Sequence, residues 1–247
     1  MRSSFSPTRH ELELKMLAQP DDTTCGPTCL QAIYQYHGKR ISLDHVIREV
    51  PRLPRGGTLG VLLAIDALRR GFAVTIYSYN LQIFDPTWEH LKTTELIAKL
   101  TAQKKVRRSP KRKHAIQAFV DFLELGGRVK FVPMSGALIR RYLNRGQPLI
   151  AGLSSTYLYQ SAREYGPDDD SDDLRGEPMG HFVVLRGYDR ASRQISIVDP
   201  LQSNPHSTSR RYTVGIERVM SSILLGVLTY DANLIVIKPD AEAGSHA

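Results

Sequence analysis

The residues of this chain best suited to chemistry lie in one early stretch, Gln19-Pro-Asp-Asp-Thr-Thr-Cys25-Gly-Pro-Thr-Cys29-Leu30. A thiol attacks a carbonyl carbon as its thiolate. The free amides and the dipole at a helix N-terminus favour that negative charge. Pro27 suits a first helical turn and Gly38 a helix stop, so a helix over residues 26–37 is expected, with Cys25 at its head. Gly26 reads as room for a substrate backbone. An oxyanion needs donors, and the Gln19 side-chain amide and the Cys25 backbone N–H can supply them. The plain alternative for any cysteine is a small buried residue. Cys29 fits that part, because it shares a helical face with Leu30 and Ile33. A Cys25–Cys29 disulfide would strain a helix.

A thiol also needs a base. Of eight histidines, His37 and His45 sit near helix ends or faces, and His10, His90, His114, His206 and His246 lie in polar contexts. His181 differs. It follows Met179-Gly180 and opens the apolar run Phe182 to Leu185, so a strand would hold it rigidly. It stands 156 residues after Cys25, against about 130–150 in cysteine proteases of papain type. Asp199 ends the next apolar run, Ile-Val-Asp-Pro. If residues 181–189 and 194–200 form a hairpin, Asp199 and His181 lie at the same end of it. A carboxylate there can bind the far imidazole nitrogen and fix the tautomer.

Nothing competes as a metal or phosphate site. The chain has no CxxC, no HExxH, no EF-hand loop and no glycine-rich phosphate loop, so neither cofactor nor metal is expected. The acidic run Asp168 to Asp173 lacks calcium-loop spacing and reads as a solvated loop that could border the cleft before His181.

The elements that must position these residues divide into a helix-rich first part and a strand-rich last part. Ser42 is placed to cap a short helix ending before Pro51, and Thr58 a third running to Gly71. A strand over 73–79 follows. Helices over 86–106 and 114–125 flank the basic run KKVRRSPKRK, residues 104–113, and residues 80–127 read as a helical, basic insertion in a single domain of 1–247. Strands at 128–133 and 148–155, a helix capped by Ser135, the hairpin and a strand at 232–239 complete the pattern. The last residues, small and polar, are expected to fray.

At 247 residues the chain can bury a core without disulfides or metals. Two cysteines make no disulfide framework and fit a reducing compartment. The first ten residues lack a signal-peptide core, and no apolar run reaches membrane-span length, so a cytoplasmic protein is expected. The net charge is +8. Much of it falls in the basic run, which has no interleaved aromatics to stack bases, so it reads as a solvated loop and not as a nucleic-acid site.

QPDDTTCGPTCLQAIYQYHG, then GHFVVLRGYD, then ISIVDP resemble the three signatures of the bacteriocin-processing, double-glycine leader peptidases and their relatives. The resemblance implies an α+β, papain-like fold, with the cysteine at a helix start packed on a C-terminal antiparallel sheet. It implies catalytic roles for Gln19, Cys25, His181 and Asp199, and a peptide or protein substrate. The familiar members are often fused to membrane transporters, whereas this chain reads as a free-standing relative.

Three activities follow: hydrolysis of a peptide or isopeptide bond through a Cys25 thioester, transfer of the same acyl group to an amine, or peptide binding without catalysis. Hydrolysis is the reading the residues favour.

Overall fold

The computed structural model describes residues 9–53, 56–229 and 231–240. The expectations for the first eight residues and for the last seven lie outside them.

The chain begins with β1 (Arg9–Glu11), α1 (Cys25–Tyr36), α2 (Leu43–Glu49) and α3 (Gly60–Arg69). Next come β2 (Phe72–Ser78), α4 (Thr93–Val106), α5 (Pro110–Glu124), β3 (Arg128–Lys130), α6 (Gly136–Leu143) and β4 (Leu149–Ser154). The last part holds α7 (Ser155–Tyr159), β5 (Glu164–Tyr165), β6 (Asp170–Ser171), β7 (Gly180–Asp189) and β8 (Gln194–Val198). It ends with β9 (Arg211–Gly215), α8 (Ile216–Leu225) and β10 (Asn233–Pro239).

One eight-stranded sheet runs β3-β2-β10-β4-β7-β8-β9, with β1 paired to β7. Among the described residues only β2 and β3 pair in parallel. Strands β4 and β7 are buried almost end to end, as their unbroken apolar runs require. Phe182, Val184, Val198, Ile235 and Ile237 face the cluster formed by α1, α3 and α5. Leu153, Val183, Leu185, Ile197 and Leu234 face α6, α7 and α8. Each fully buried side chain of this kind contributes about 1.5–3 kcal/mol. Helix α1 is buried from Cys25 through Tyr34, which makes it a central helix, packed all round. The fold is α+β, with the cysteine-bearing helix against an antiparallel sheet, as the sequence led one to expect.

Several local expectations need correction. Thr58 does not cap α3, because its hydroxyl donates to Pro51 O at 2.9 Å. The cap comes from Asp231, whose Oδ1 accepts from Gly60 N at 2.9 Å across 171 residues. Gly26 does not open onto a substrate. A Cβ there would meet Thr58 Cγ2 at 2.8 Å and Leu63 and Phe182 at 3.2 Å, so the glycine lets α1 pack. The basic run is largely helical. α4 continues to Val106, and Ser109 accepts from Arg112 N to start α5 at Pro110. The helix expected over 86–106 starts at Thr93, behind a short 3-10 turn at Pro86–Trp88. The acidic stretch is not an open loop, since its β6 pairs with β5 just before it and Asp172 accepts from Leu174 N and Arg175 N.

Candidate active site

Strand β7 starts at the edge where β4 ends: Leu153 pairs with His181 and Ser154 with Gly180. Helices α1 and α3 begin at the same edge, where Gly26 abuts Phe182 and Gly60 abuts Phe182 and Asp231. The sequence thus delivers the head of α1 and the head of β7 to one place.

The hairpin of β7 and β8 is not regular. Its register shifts between Leu185 and Gly187. Arg186 occupies the shift, buried, with Nη1 donating to Leu12 O at 2.9 Å and Nη2 3.3 Å from Glu11. A one-residue slip moves a strand's side chains to the other face. Counted from the Val184–Val198 pair, Asp199 falls opposite Val183 and so on the face of His181. With the Gly187–Ser196 register carried through, it would fall opposite Val184 and face away. The bulge therefore sets the meeting of histidine and carboxylate. Gly187 marks it, because a Cβ there would meet His10 O at 2.6 Å.

His181 Nε2 lies 2.9 Å from Asp199 Oδ1. Cys25 lies close enough for its charge to bear on the same ring. With Nε2 turned to the carboxylate, Nδ1 is the nitrogen left to take a thiol proton. Cys25 and His181 each keep 8% of their surface exposed, whereas Asp199 has 0%. Cys25 and His181 thus keep a margin of surface that the carboxylate lacks. Burial acts to lower the imidazole pKa, but the charges of Asp199 and Cys25 outweigh it and raise it to about 10. Burial acts to raise the Asp199 pKa, yet His181 and its hydrogen-bond donors hold it below the ordinary carboxylate value.

Helix α1 has no side-chain cap at Thr24. Its first amides have no intrahelical acceptors either. Gln19 is tied to the carboxylate's corner through its backbone, donating to Pro200 O at 3.0 Å. Its side chain is not joined to Cys25 or His181. Nε2 donates to Asp21 O at 3.0 Å, and Oε1 is buried without a partner. The amide nitrogen carries two hydrogens, so one remains for an incoming oxyanion. Cys29 is fully buried and its Sγ donates to Phe182 O at 3.2 Å. Burial, then the charges of Cys25 and Asp199, push its thiol pKa well up, so it stays protonated. Both cysteines are free.

Two residues of this cluster carry no signal in the sequence. Asp199 Oδ2 accepts from Tyr159 OH at 2.7 Å and from Tyr212 OH at 2.6 Å. Tyr159 ends a five-residue helix, and Tyr212 lies on a strand whose only buried side chain is Val214. Neither element shows a period in sequence. The acidic hairpin leads into β7, since Glu164 bridges Glu177, four residues before His181; burial raises the Glu164 pKa and the charge of His181 opposes it. A cleft of about 640 Å³ between α7 and α8 is lined in part by Pro178, three residues before His181, and by none of the four predicted residues.

Among the described residues no helix is long and apolar enough to cross a membrane. No curated protein matches the chain. Among solved structures, the peptidase domain of Streptococcus ComA, a bi-functional ABC transporter, is 14% identical. That alignment covers 92% of this chain and 100% of that one, with a TM-score of 0.45. A double glycine motif protease from an AMS/PCAT transporter, solved with a leader peptide, is 14% identical. It covers 94% of this chain and 95% of that one, at a TM-score of 0.45. Xylellain, a cysteine protease from Xylella fastidiosa, is 16% identical over 95% of this chain and 87% of its own, at 0.45. The model of the Peptidase_C39 like family matches residues 125–221, a stretch that holds His181 and Asp199 but not Cys25 or Gln19. Over that stretch the chain matches the kind of family that its three motifs resemble.

Proposed function

We propose that the protein is a cysteine peptidase that hydrolyses a peptide or isopeptide bond through a Cys25 thioester. The observation that carries this reading is the His181 ring, bonded to a buried carboxylate and lying in the field of the Cys25 thiol at an uncapped helix start. His181 Nδ1 takes the thiol proton and gives a thiolate–imidazolium pair. The thiolate attacks the carbonyl carbon. The oxyanion accepts from the Cys25 backbone N–H and from the free N–H of Gln19. The C–N bond breaks as Nδ1–H protonates the leaving amine. Water then attacks the thioester, gives a proton to His181, and the C–S bond breaks to release the acid. Asp199 keeps Nε2 as the donor nitrogen throughout. We assign a peptide or protein as substrate, a cytoplasmic setting in keeping with two free thiols, and a single domain in which the basic α4–α5 section is an insertion.

The test is product analysis by mass spectrometry on a peptide library, with wild type and Cys25→Ala, and with and without added amine. Cleavage by wild type alone, giving free acids, supports hydrolysis. Amide products with amine present would make the enzyme a transferase. Equal peptide binding by both proteins without any cleavage would leave a binding module.

A further inference from the structure

The structure assigns Tyr159 and Tyr212 to a phenol clamp that fixes the orientation and the charge of Asp199. A carboxylate has two oxygens and about four acceptor sites. All are filled here. Oδ1 accepts from His181 Nε2 and from Leu201 N, both at 2.9 Å. Oδ2 accepts from the two phenols at 2.7 and 2.6 Å. A carboxylate bound on both edges cannot rotate, so Oδ1 stays aimed at the imidazole.

The two phenols come from different elements, one from the end of α7 and one from β9. His206 braces them. Its ring lies 5.9 Å from Tyr159 and 5.0 Å from Tyr212, and its Nε2 lies 3.1 Å from Leu158 O. With that aromatic cover Asp199 has no exposed surface. An ionised carboxylate without water needs donors to remain charged. The chain supplies four: His181, the backbone N–H of Leu201 and the two phenols. The titratable groups facing this cluster are His181 on β7, Cys25 and Cys29 on α1, Tyr159, Tyr212, His206, and Glu164 through its field at His181.

The clamp rests on the peptidase reading only for its effect on turnover; its effect on the pair is independent. Tyr→Phe keeps each ring and removes one donor. The full chain, labelled with ¹⁵N, is titrated by NMR in wild type, Tyr159→Phe, Tyr212→Phe and the double variant. The His181 ring signals are assigned by their loss in His181→Ala. In wild type His181, with the phenols beside it, holds Asp199 ionised below the ordinary carboxylate range. The acid-side transition, where Asp199 gains a proton and the Nε2–H signal changes, should move up by about one pH unit per phenol removed. If the double variant does not fold, the two single variants decide. An unmoved transition in both single variants overturns the clamp. A moved transition in a protein that cleaves no peptide upholds the clamp and removes the peptidase reading.

Discussion

Helices α1 and α3 start at the same edge of the sheet, and their first turns are treated in opposite ways. At α3 the chain returns 171 residues later to put a carboxylate on the amide of Gly60. At α1 no side chain caps the first turn, and the first residue is a cysteine facing an imidazole. A helix start left without a cap forfeits about 1 kcal/mol. The α3 start is closed for stability. On the proposed reading, the α1 start keeps its donors for a negative charge that arrives during reaction.

The contrast can be broken at either helix. Cys25→Ala should lower turnover by about 10⁴-fold or more, with the melting midpoint close to wild type, as read by peptide cleavage and thermal melts. A large loss of stability would mean that the α1 start is structural. Asp231 tests the other helix. Burial pushes its pKa up to about 7, against the opposing bond from Gly60. A folded value above the unfolded one means that the folded state binds the extra proton. Stability is then greatest below about pH 4 and falls as pH rises to about 7, by on the order of 4 kcal/mol. Urea melts of Asp231→Asn should lack that slope, while Cys25 alkylation stays as in wild type.

Smaller effects sharpen the comparison. Gln19→Ala should lower kcat by about 10²-fold and leave the melting midpoint nearly unchanged, since its one side-chain bond is local. Steady-state kinetics with KM and kcat separated would show it, and an unaltered kcat would remove Gln19 from the oxyanion's donors. Cys29→Ala should cost about 1 kcal/mol in denaturant melts and leave turnover within about twofold. Its thiol is spent on Phe182 O and its proton is held by burial.

How much of this was legible in sequence depended on how local each signal is. Pro27 and Gly38 bracket α1, and Ser42 and Ser135 cap their helices through their own hydroxyls, so these ends could be read. Thr58 had the right residue type but the wrong partner, because the true cap is remote in sequence. The hairpin of β7 and β8 was legible from its two apolar runs and the turn between them. The shift at Arg186 was not, since it answers to Leu12 and Glu11 on the far side of the chain. Tyr159 and Tyr212 went unseen for the same reason: α7 and β9 have too few buried residues to show a period, and only the fold brings both to Asp199.

The central claim is that Cys25 and His181 form one reactive unit. The rate of Cys25 alkylation against pH, read by mass spectrometry in wild type and in His181→Ala, tests it most directly. The account predicts fast alkylation persisting well below the range of a free thiol, about 8.5, because a raised His181 remains imidazolium through neutral pH, and loss of that persistence in the variant. Identical profiles in the two proteins, both following a free thiol, would contradict it.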